Sequence, residues 1–212
     1  MDVLDRNLRV KGRGERILAL GLAAALSPLG VAVAAAIALE ALARGERPYL
    51  FVGELRRSAG RTFRLLKFRT VRVSAWRRHL AFESGVSIKA LERSPENLTL
   101  VGRFLRRTYL DELPQIVNVL RGEMALVGPR PYFAGDWERE PKLDIPARRL
   151  LRAGLTGPFQ AVKGRVSGLD RVNALDAAYL EHLRSASLAA VAARDLALLG
   201  RTVATVFRAK GL

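Results

Sequence analysis

The chain has 212 residues, enough for one compact domain of ordinary size with an appendage. Its 36 Lys and Arg against 20 Asp and Glu give a formal charge of +16. This predicts an anionic partner: nucleic acid, acidic lipid or a phosphorylated substrate. The absence of cysteine excludes a disulfide framework and a thiolate metal site, and two isolated histidines, His79 and His182, are too few for a zinc cluster.

A basic leader precedes an apolar run over residues 17–43. As a helix, this run would be roughly 40 Å long, enough to cross a hydrocarbon core of about 30 Å. Pro28 lies near its middle, lacks an amide hydrogen and predicts a break or kink, where Ser27 could satisfy a freed carbonyl. Both flanks are basic, which favours a re-entrant segment with both ends on the cytoplasmic side.

Three other interpretations of this segment stay open from composition alone. A basic leader followed by an apolar stretch and small residues also describes a secretory signal peptide. A single membrane span and a buried helix of a soluble protein fit as well. We expect a membrane segment over residues 1–46 and a catalytic domain over residues 47–212.

The domain is predicted to be α+β and mainly helical. Two apolar stretches around Ser58-Ala59-Gly60 predict a β-hairpin. Residues 74–98 lack a clear period and predict an irregular connection with at most one helical turn. Helices are predicted over residues 98–107 and 111–121, and residues 123–133 are predicted to form a loop.

Residues 173–209 are rich in Ala, Leu and Val and predict a C-terminal helix. Its Arg194, Arg201 and Arg208 are seven residues apart and therefore share one face. This cationic stripe fits a solvated face over a packed apolar one. It also fits a helix that lies on an anionic membrane surface.

Asp111 and Glu112 lie at a predicted helix start, where unpaired amides and the helix dipole stabilise anions. An acidic pair in this position is ordinarily structural. Adjacent helical residues point about 100° apart, so the two carboxylates would have distinct duties, one toward a substrate and one toward a metal.

Several cations flank the acidic pair in the sequence, which suits a diphosphate bound with Mg²⁺. In Gly128-Pro129-Arg130-Pro131, the prolines hold Arg130 in an extended backbone. Surface charge is the rival explanation for each cation. The cations are Lys67, Arg69, Arg106, Arg107 and Arg130.

Several blocks of the chain together resemble the bacterial sugar transferase family, the monotopic phosphoglycosyl transferases. The specific block is Val101-Gly102-Arg103-Phe104-Leu105-Arg106-Arg107-Thr108-Tyr109-Leu110-Asp111-Glu112-Leu113-Pro114-Gln115. Shorter matches are Leu26-Ser27-Pro28, Lys67-Phe68-Arg69-Thr70, residues 118–131, Gly154-Leu155-Thr156-Gly157 with Gln160, Gly164-Arg165, and Asp176 with Tyr179. The resemblance covers about residues 15–207.

The resemblance implies transfer of a sugar 1-phosphate from a UDP-sugar to undecaprenyl phosphate at the cytoplasmic face of the bacterial inner membrane. Asp111 would be the nucleophile, UMP the leaving group, and Glu112 the Mg²⁺ ligand. A re-entrant helix broken at Ser27-Pro28 and contact with anionic lipids are also implied. The substrate and phosphate residues would be Lys67, Arg69, Arg106, Pro129, Arg130, Pro131, Gln160, Arg165 and Asp176.

Ala153 and Pro158 depart from the family pattern and leave the sugar specificity open. The sequence also leaves open which pathway the protein serves and whether it forms a homodimer. The alternative function is a basic nucleic-acid or membrane-binding module without chemistry. Aromatic residues are only 7% of the chain and are not interleaved with the basic runs, so we expect no nucleic-acid partner.

Overall fold

The computed structural model describes residues 2–47, 49–82 and 91–208, and this part of the chain is mainly helical. The longer helices are α1 (Val3–Ala43), α2 (Val73–Phe82), α3 (Leu100–Thr108), α4 (Gln115–Leu120), α7 (Leu169–Ser185) and α8 (Leu188–Arg208). The short helices are α5 (Asp136–Arg139) and α6 (Pro146–Leu150). The strands are β1 (Phe51–Ser58), β2 (Arg61–Phe68), β3 (Ala125–Val127) and β4 (Gly154–Thr156).

The leader and the apolar run form one continuous helix, α1, so the predicted break in secondary structure at Ser27-Pro28 is wrong, whereas the alternative, a kink, stays a prediction. Pro28 cannot donate a hydrogen bond to the carbonyl of Ala24, four residues back. The Ser27 Oγ donates to that carbonyl at 2.8 Å, which confirms the predicted compensation. The Ser27 side chain therefore supplies the hydrogen bond that Pro28 cannot donate.

The two halves of α1 pack on different parts of the domain. Leu4 and Ala19 belong to the main core, whereas Val33 and Ile37 join Phe68 of β2 in a second cluster. Near its end, both Glu40 carboxylate oxygens accept from the first amides of α3, at 2.7 and 2.9 Å. Both ends of the helix therefore contact the rest of the domain.

Strands β1 and β2 form the predicted hairpin, with Phe51 opposite Phe68 and Ser58 opposite Arg61. The turn uses positive φ at Ala59 and Gly60. The buried Asn118 of α4 seals the outer edge of β2: its Oδ1 accepts from the Leu66 amide at 3.0 Å, and its Nδ2 donates to the Arg64 carbonyl at 2.8 Å. This side chain fixes the hairpin to α4.

Residues 123–133 are not only a loop, because β3 pairs in parallel with β4. The pairing brings two glycine-containing segments into backbone contact. A Cβ on Gly157 would lie 1.9 Å from the Gly128 oxygen, so a larger residue would force the segments apart. The glycines thus permit the close approach of the two loops.

Three other predicted boundaries are wrong. The connection after residue 73 begins with the ten-residue α2, while residues 83–90 lie outside the described part. The helix predicted over 111–121 is a 3₁₀ turn, Leu110–Glu112, followed by α4. The single C-terminal helix is two helices, α7 and α8, which separate at Ala186 and Ser187. The Asn7 side chain of α1 caps the first of these by donating to the Leu183 and Ala186 carbonyls.

Candidate active site

A cavity of about 680 Å³ lies between α1, β2, the 3₁₀ turn, β4 and α8. One wall is apolar and consists of Leu22 and Leu26 of α1 with Leu199 and Val203 of α8. The rest of the lining mixes apolar side chains, such as Leu113 and Ile116, with charged ones that include the acidic pair. A cavity lined by both apolar and charged side chains suits a ligand that has both kinds of surface.

The acidic pair meets a common cation, Lys67 of β2. The Lys67 Nζ lies 3.0 Å from Glu112 Oε1 and 3.5 Å from Asp111 Oδ2. The environments of the two acids differ, because the Asp111 side chain is 7% exposed and that of Glu112 is 36% exposed. The geometry thus gives the two adjacent carboxylates distinct positions in the cavity.

Burial raises the pKa of Asp111 to about 6, although Lys67 opposes this by favouring the carboxylate. Burial is also the largest influence on Lys67 and lowers its pKa. The combined charges of Glu112, Asp111 and Glu92 outweigh it, so the pKa of Lys67 lies above its ordinary value. As the pH rises through about 6, Asp111 therefore becomes a carboxylate beside a protonated Lys67.

Tyr109 sets the direction of the chain just before the acidic pair. It has a φ of 59°, in the left-handed region that non-glycine residues seldom adopt, and it ends α3. Its hydroxyl accepts from the Lys163 Nζ at 3.1 Å, and the same Nζ lies 5.0 Å from the ring centroid. Lys163, which the sequence pattern did not single out, thus brings another cation to the cavity wall.

Arg106 reaches the cavity from α3 and is held by Glu92. Its Nε lies 3.5 Å from Glu92 Oε2, and its Nη1 donates to the Glu92 carbonyl at 2.6 Å. The Thr70 hydroxyl donates to the other Glu92 oxygen at 2.8 Å. Sequence reasoning missed Glu92, because it lies in a segment without periodicity and offers no motif.

Arg130, Pro131 and Gln160 also line the cavity, as the sequence predicts for substrate residues. The Arg130 guanidinium lies 5.5 Å from the centroid of the Phe159 ring. Gln160 Nε2 is 3.5 Å from the Gly154 carbonyl of β4. Arg130 therefore faces the same cavity as Asp111, although the two residues belong to different loops.

Four predicted site residues do not line this cavity. Arg69 is 1% exposed and donates to the Tyr49 and Val71 carbonyls, each at 2.7 Å. Asp176 is fully buried and pairs with Arg148 at 2.9 Å; burial raises its pKa to about 6, against the influence of Arg148. Pro129 accepts from the Gly154 amide at 2.8 Å, and Arg165 is exposed.

The donor set fits a magnesium ion shared with a phosphorylated substrate. Within the described ranges, no three His, Cys, Asp or Glu side chains form a metal cluster. Mg²⁺ does not require one, since it commonly binds one or two carboxylates together with substrate phosphates and water. Glu112, the more exposed acid of the pair, is the residue that would hold it, with Asp111 adjacent.

The sequence profile described as bacterial sugar transferase matches residues 7–209. The UDP-glucose:undecaprenyl-phosphate glucose-1-phosphate transferase of Caulobacter vibrioides is 36% identical over 187 residues, which cover 86% of this chain and 64% of the relative. The exopolysaccharide production protein ExoY of Sinorhizobium fredii is 37% identical over 164 residues, 72% of this chain and 67% of the relative.

The undecaprenyl-phosphate galactose phosphotransferase of Salmonella typhimurium is 36% identical over 121 residues, 56% of this chain and 23% of the relative. The chain thus matches from about a quarter to two thirds of the length of these three relatives. The profile match over nearly the whole chain, together with these identities, shows that the protein belongs to the bacterial sugar transferase family.

Proposed function

We propose that the protein transfers a sugar 1-phosphate from a UDP-sugar to undecaprenyl phosphate, in the initiating step of a bacterial polysaccharide or glycan. Family membership and the activities named for the relatives support this reaction class. The observation that carries the proposal is the buried Asp111 beside Lys67, in a cavity that Arg106, Arg130 and Lys163 also line. This arrangement offers a nucleophile and the cations that a diphosphate requires.

In the first step, an Asp111 carboxylate oxygen attacks the β-phosphorus of the UDP-sugar. The bond from that phosphorus to the bridging oxygen breaks, UMP leaves, and the phosphosugar remains on Asp111 as an acyl phosphate. Lys67 keeps Asp111 ionised above pH 6 and orients it. Arg106, Arg130 and Lys163 balance the negative charge on the phosphoryl oxygens.

In the second step, a phosphate oxygen of undecaprenyl phosphate attacks the same phosphorus. The bond to the Asp111 oxygen breaks, which releases the carboxylate and forms the lipid diphosphate sugar. The apolar side chains of Leu22, Leu26, Leu199 and Val203 provide a surface for the lipid in the same cavity as the charged residues. Splitting the transfer in two lets donor and acceptor use the same cations in turn.

Mg²⁺ is proposed as the cofactor and Glu112 as its ligand. When bound, the ion would neutralise charge on the donor phosphates. Glu112 is placed for this duty because its side chain is partly exposed in the cavity, while Lys67 remains near both acids. The chain itself supplies the attack, the charge balance and the orientation of Asp111.

We further propose that α1 enters the cytoplasmic leaflet of the bacterial inner membrane and returns to the same side. By length and composition α1 could cross a membrane, and only 11% of its most apolar 18-residue stretch is buried. Yet residues near its two ends, Asn7 and Glu40, both contact the catalytic domain. A segment with both ends on one side meets these conditions, and its basic flanks favour anionic lipids.

Cysteine labelling tests this topology, since the natural chain contains no cysteine. The exposed Val10 and Arg47 are replaced singly by cysteine and treated with a membrane-impermeant maleimide in sealed spheroplasts and in inverted vesicles. We expect both positions to react in inverted vesicles only. Reaction of the two positions from opposite sides would establish a single span instead.

The activity is tested by UMP release from a panel of UDP-sugars, with Mg²⁺ and undecaprenyl phosphate in lipid nanodiscs. Asp111→Asn should lower the rate by roughly 10³-fold or more, because the nucleophile is lost. Asp170→Asn, which changes an exposed carboxylate outside the cavity, is the matched control and should retain the rate. Full activity of Asp111→Asn would overturn the nucleophile assignment, and no turnover with any donor would favour the binding-module alternative.

A further inference from the structure

Two side chains in the first part of α1 form hydrogen bonds to a single residue of β3. The Glu15 Oε1 accepts from the Val127 amide at 2.9 Å, and the Lys11 Nζ donates to the Val127 carbonyl, also at 2.9 Å. Lys11 and Glu15 are one helical turn apart and form an ion pair with each other. Both backbone groups of Val127 are thus satisfied by one helix.

These two hydrogen bonds satisfy the edge of β3 that a neighbouring strand would otherwise pair with. One edge of β3 faces β4. There the Ala125 amide donates to the Ala153 carbonyl, and the Gly128 amide donates to the Thr156 carbonyl, each at 2.9 Å. Val127 directs its amide and carbonyl to α1 instead. A short strand with an unpaired edge would leave polar backbone groups buried, since Val127 is only 2% exposed.

Buried polar contacts with α7 and α8 hold the Lys11 side chain in place. The Lys11 Nζ lies 3.2 Å from Asp195 Oδ2 of α8. The Tyr179 hydroxyl of α7 donates to the other Asp195 oxygen at 2.6 Å. The side chains of Lys11 and Glu15 are 8% and 12% exposed, so water competes little for these contacts.

A conformationally restricted segment of the chain connects Val127 to the cavity. Arg130 follows three residues later, between Pro129 and Pro131, whose rings restrict the backbone on both sides. The Pro129 carbonyl also accepts from the Gly154 amide at 2.8 Å. We therefore expect a shift of β3 to displace the Arg130 backbone, because the prolines on both sides leave it few other conformations.

We propose that Glu15 is a positioning residue, which fixes Val127 and thereby places Arg130 for the diphosphate of the donor. The inference rests on the proposed function, in which Arg130 contacts that diphosphate. It makes donor affinity depend on a side chain in the leader of the membrane helix. Because Glu15 itself does not line the cavity, its effect falls on donor binding through Arg130 and leaves the reacting groups in place.

The test compares Glu15→Gln with Glu15→Met, two side chains of similar size. Glutamine keeps an oxygen that accepts from the Val127 amide, whereas methionine keeps the volume and loses the acceptor. We expect Glu15→Met to raise the KM for the UDP-sugar roughly threefold to tenfold, the effect of one lost hydrogen bond, with kcat changed less than KM. Glu15→Gln should retain the wild-type KM, and so should Glu138→Met, on an exposed glutamate elsewhere.

Hydrogen exchange provides a readout independent of activity. The Val127 amide should exchange faster in Glu15→Met than in Glu15→Gln, because its acceptor is gone. Should Glu15→Met not fold, Glu15→Asp carries the test: it keeps the charge but withdraws the carboxylate by one methylene. The same rise in KM and in exchange at Val127 is then expected.

Arg130→Ala separates the two proposals. A raised KM in Arg130→Ala, with wild-type KM in Glu15→Met and Glu15→Asp, would overturn the positioning role and leave the proposed function standing. A wild-type KM in Arg130→Ala itself would contradict the diphosphate contact and with it the inference. Equal loss in Glu15→Gln and Glu15→Met would also overturn it, since the acceptor would then not be the group that matters.

Discussion

Replacing Lys67 with methionine removes the cation that Asp111 and Glu112 share while keeping most of the side-chain volume. Lys67 lies 3.5 Å from Asp111 and 3.0 Å from Glu112. Two unit charges about 4 Å apart interact by about 4 kcal/mol at an effective dielectric constant of 20. With about 1.4 kcal/mol for each tenfold change in rate, we expect kcat to fall roughly 10²-fold to 10³-fold at pH 7.

The same change should alter the pH dependence. Asp111 must be ionised to attack, so activity falls as the pH drops through its pKa, which is about 6 with Lys67 present. Lys67 lowers that pKa; its removal therefore raises it, and the acid limb moves to higher pH. The assay is UMP release between pH 5 and pH 9 at donor concentrations well below KM, where kcat/KM reports the free enzyme, with Lys67→Arg as the control that keeps a cation.

A Lys67→Met enzyme that keeps the wild-type rate at pH 7 and the wild-type acid limb would refute this reasoning. It would show that Lys67 neither stabilises the carboxylate nor assists the first step. A lower rate with an unchanged acid limb of the pH profile would refute only the claim that Lys67 lowers the pKa of Asp111.

Three predictions concern stability and are measured as shifts in the thermal unfolding of purified protein in nanodiscs. Asn118→Ala leaves two backbone groups of β2 without partners and should lower the free energy of unfolding by about 2–4 kcal/mol; an unchanged melting temperature would contradict this. Gly102→Ala places a Cβ 1.9 Å from the Thr70 oxygen and should cost about 1–3 kcal/mol, whereas Gly14→Ala, with open space around it, should not destabilise. Arg148→Met leaves a buried carboxylate unpaired and should cost about 3–5 kcal/mol; a loss below 1 kcal/mol would show that the pair is dispensable.

The hairpin and the helical character of residues 17–43 are predictable from sequence because both depend on local patterns, whereas the continuity of α1 through Pro28 was not predicted. Alternating and apolar runs around a turn predict β1 and β2, and an apolar run predicts α1. Strands β3 and β4 are three residues each and pair across a long stretch of chain. Their pairing is decided by tertiary contact, which periodicity in so short a segment cannot reveal.

The site was partly predictable for a similar reason. Asp111, Glu112 and Arg130 lie in recognisable motifs, and the structure places all three at one cavity. Arg69 and Asp176 also belong to motifs, yet each is buried in polar contacts away from that cavity, where burial and pairing explain the residue type. A motif thus indicates that a residue type is required, but contacts decide whether the requirement is structural or chemical.

The most direct test of the central claim is to trap the phosphosugar on the enzyme. The protein is incubated with Mg²⁺ and a UDP-sugar, without undecaprenyl phosphate, quenched rapidly and digested for mass spectrometry. We expect one UMP released per chain and a phosphosugar on the peptide that contains Asp111, absent in Asp111→Asn and discharged when undecaprenyl phosphate is added. Turnover that occurs only with both substrates present, with no adduct on the chain at any time, would contradict the covalent mechanism and indicate direct transfer to the lipid.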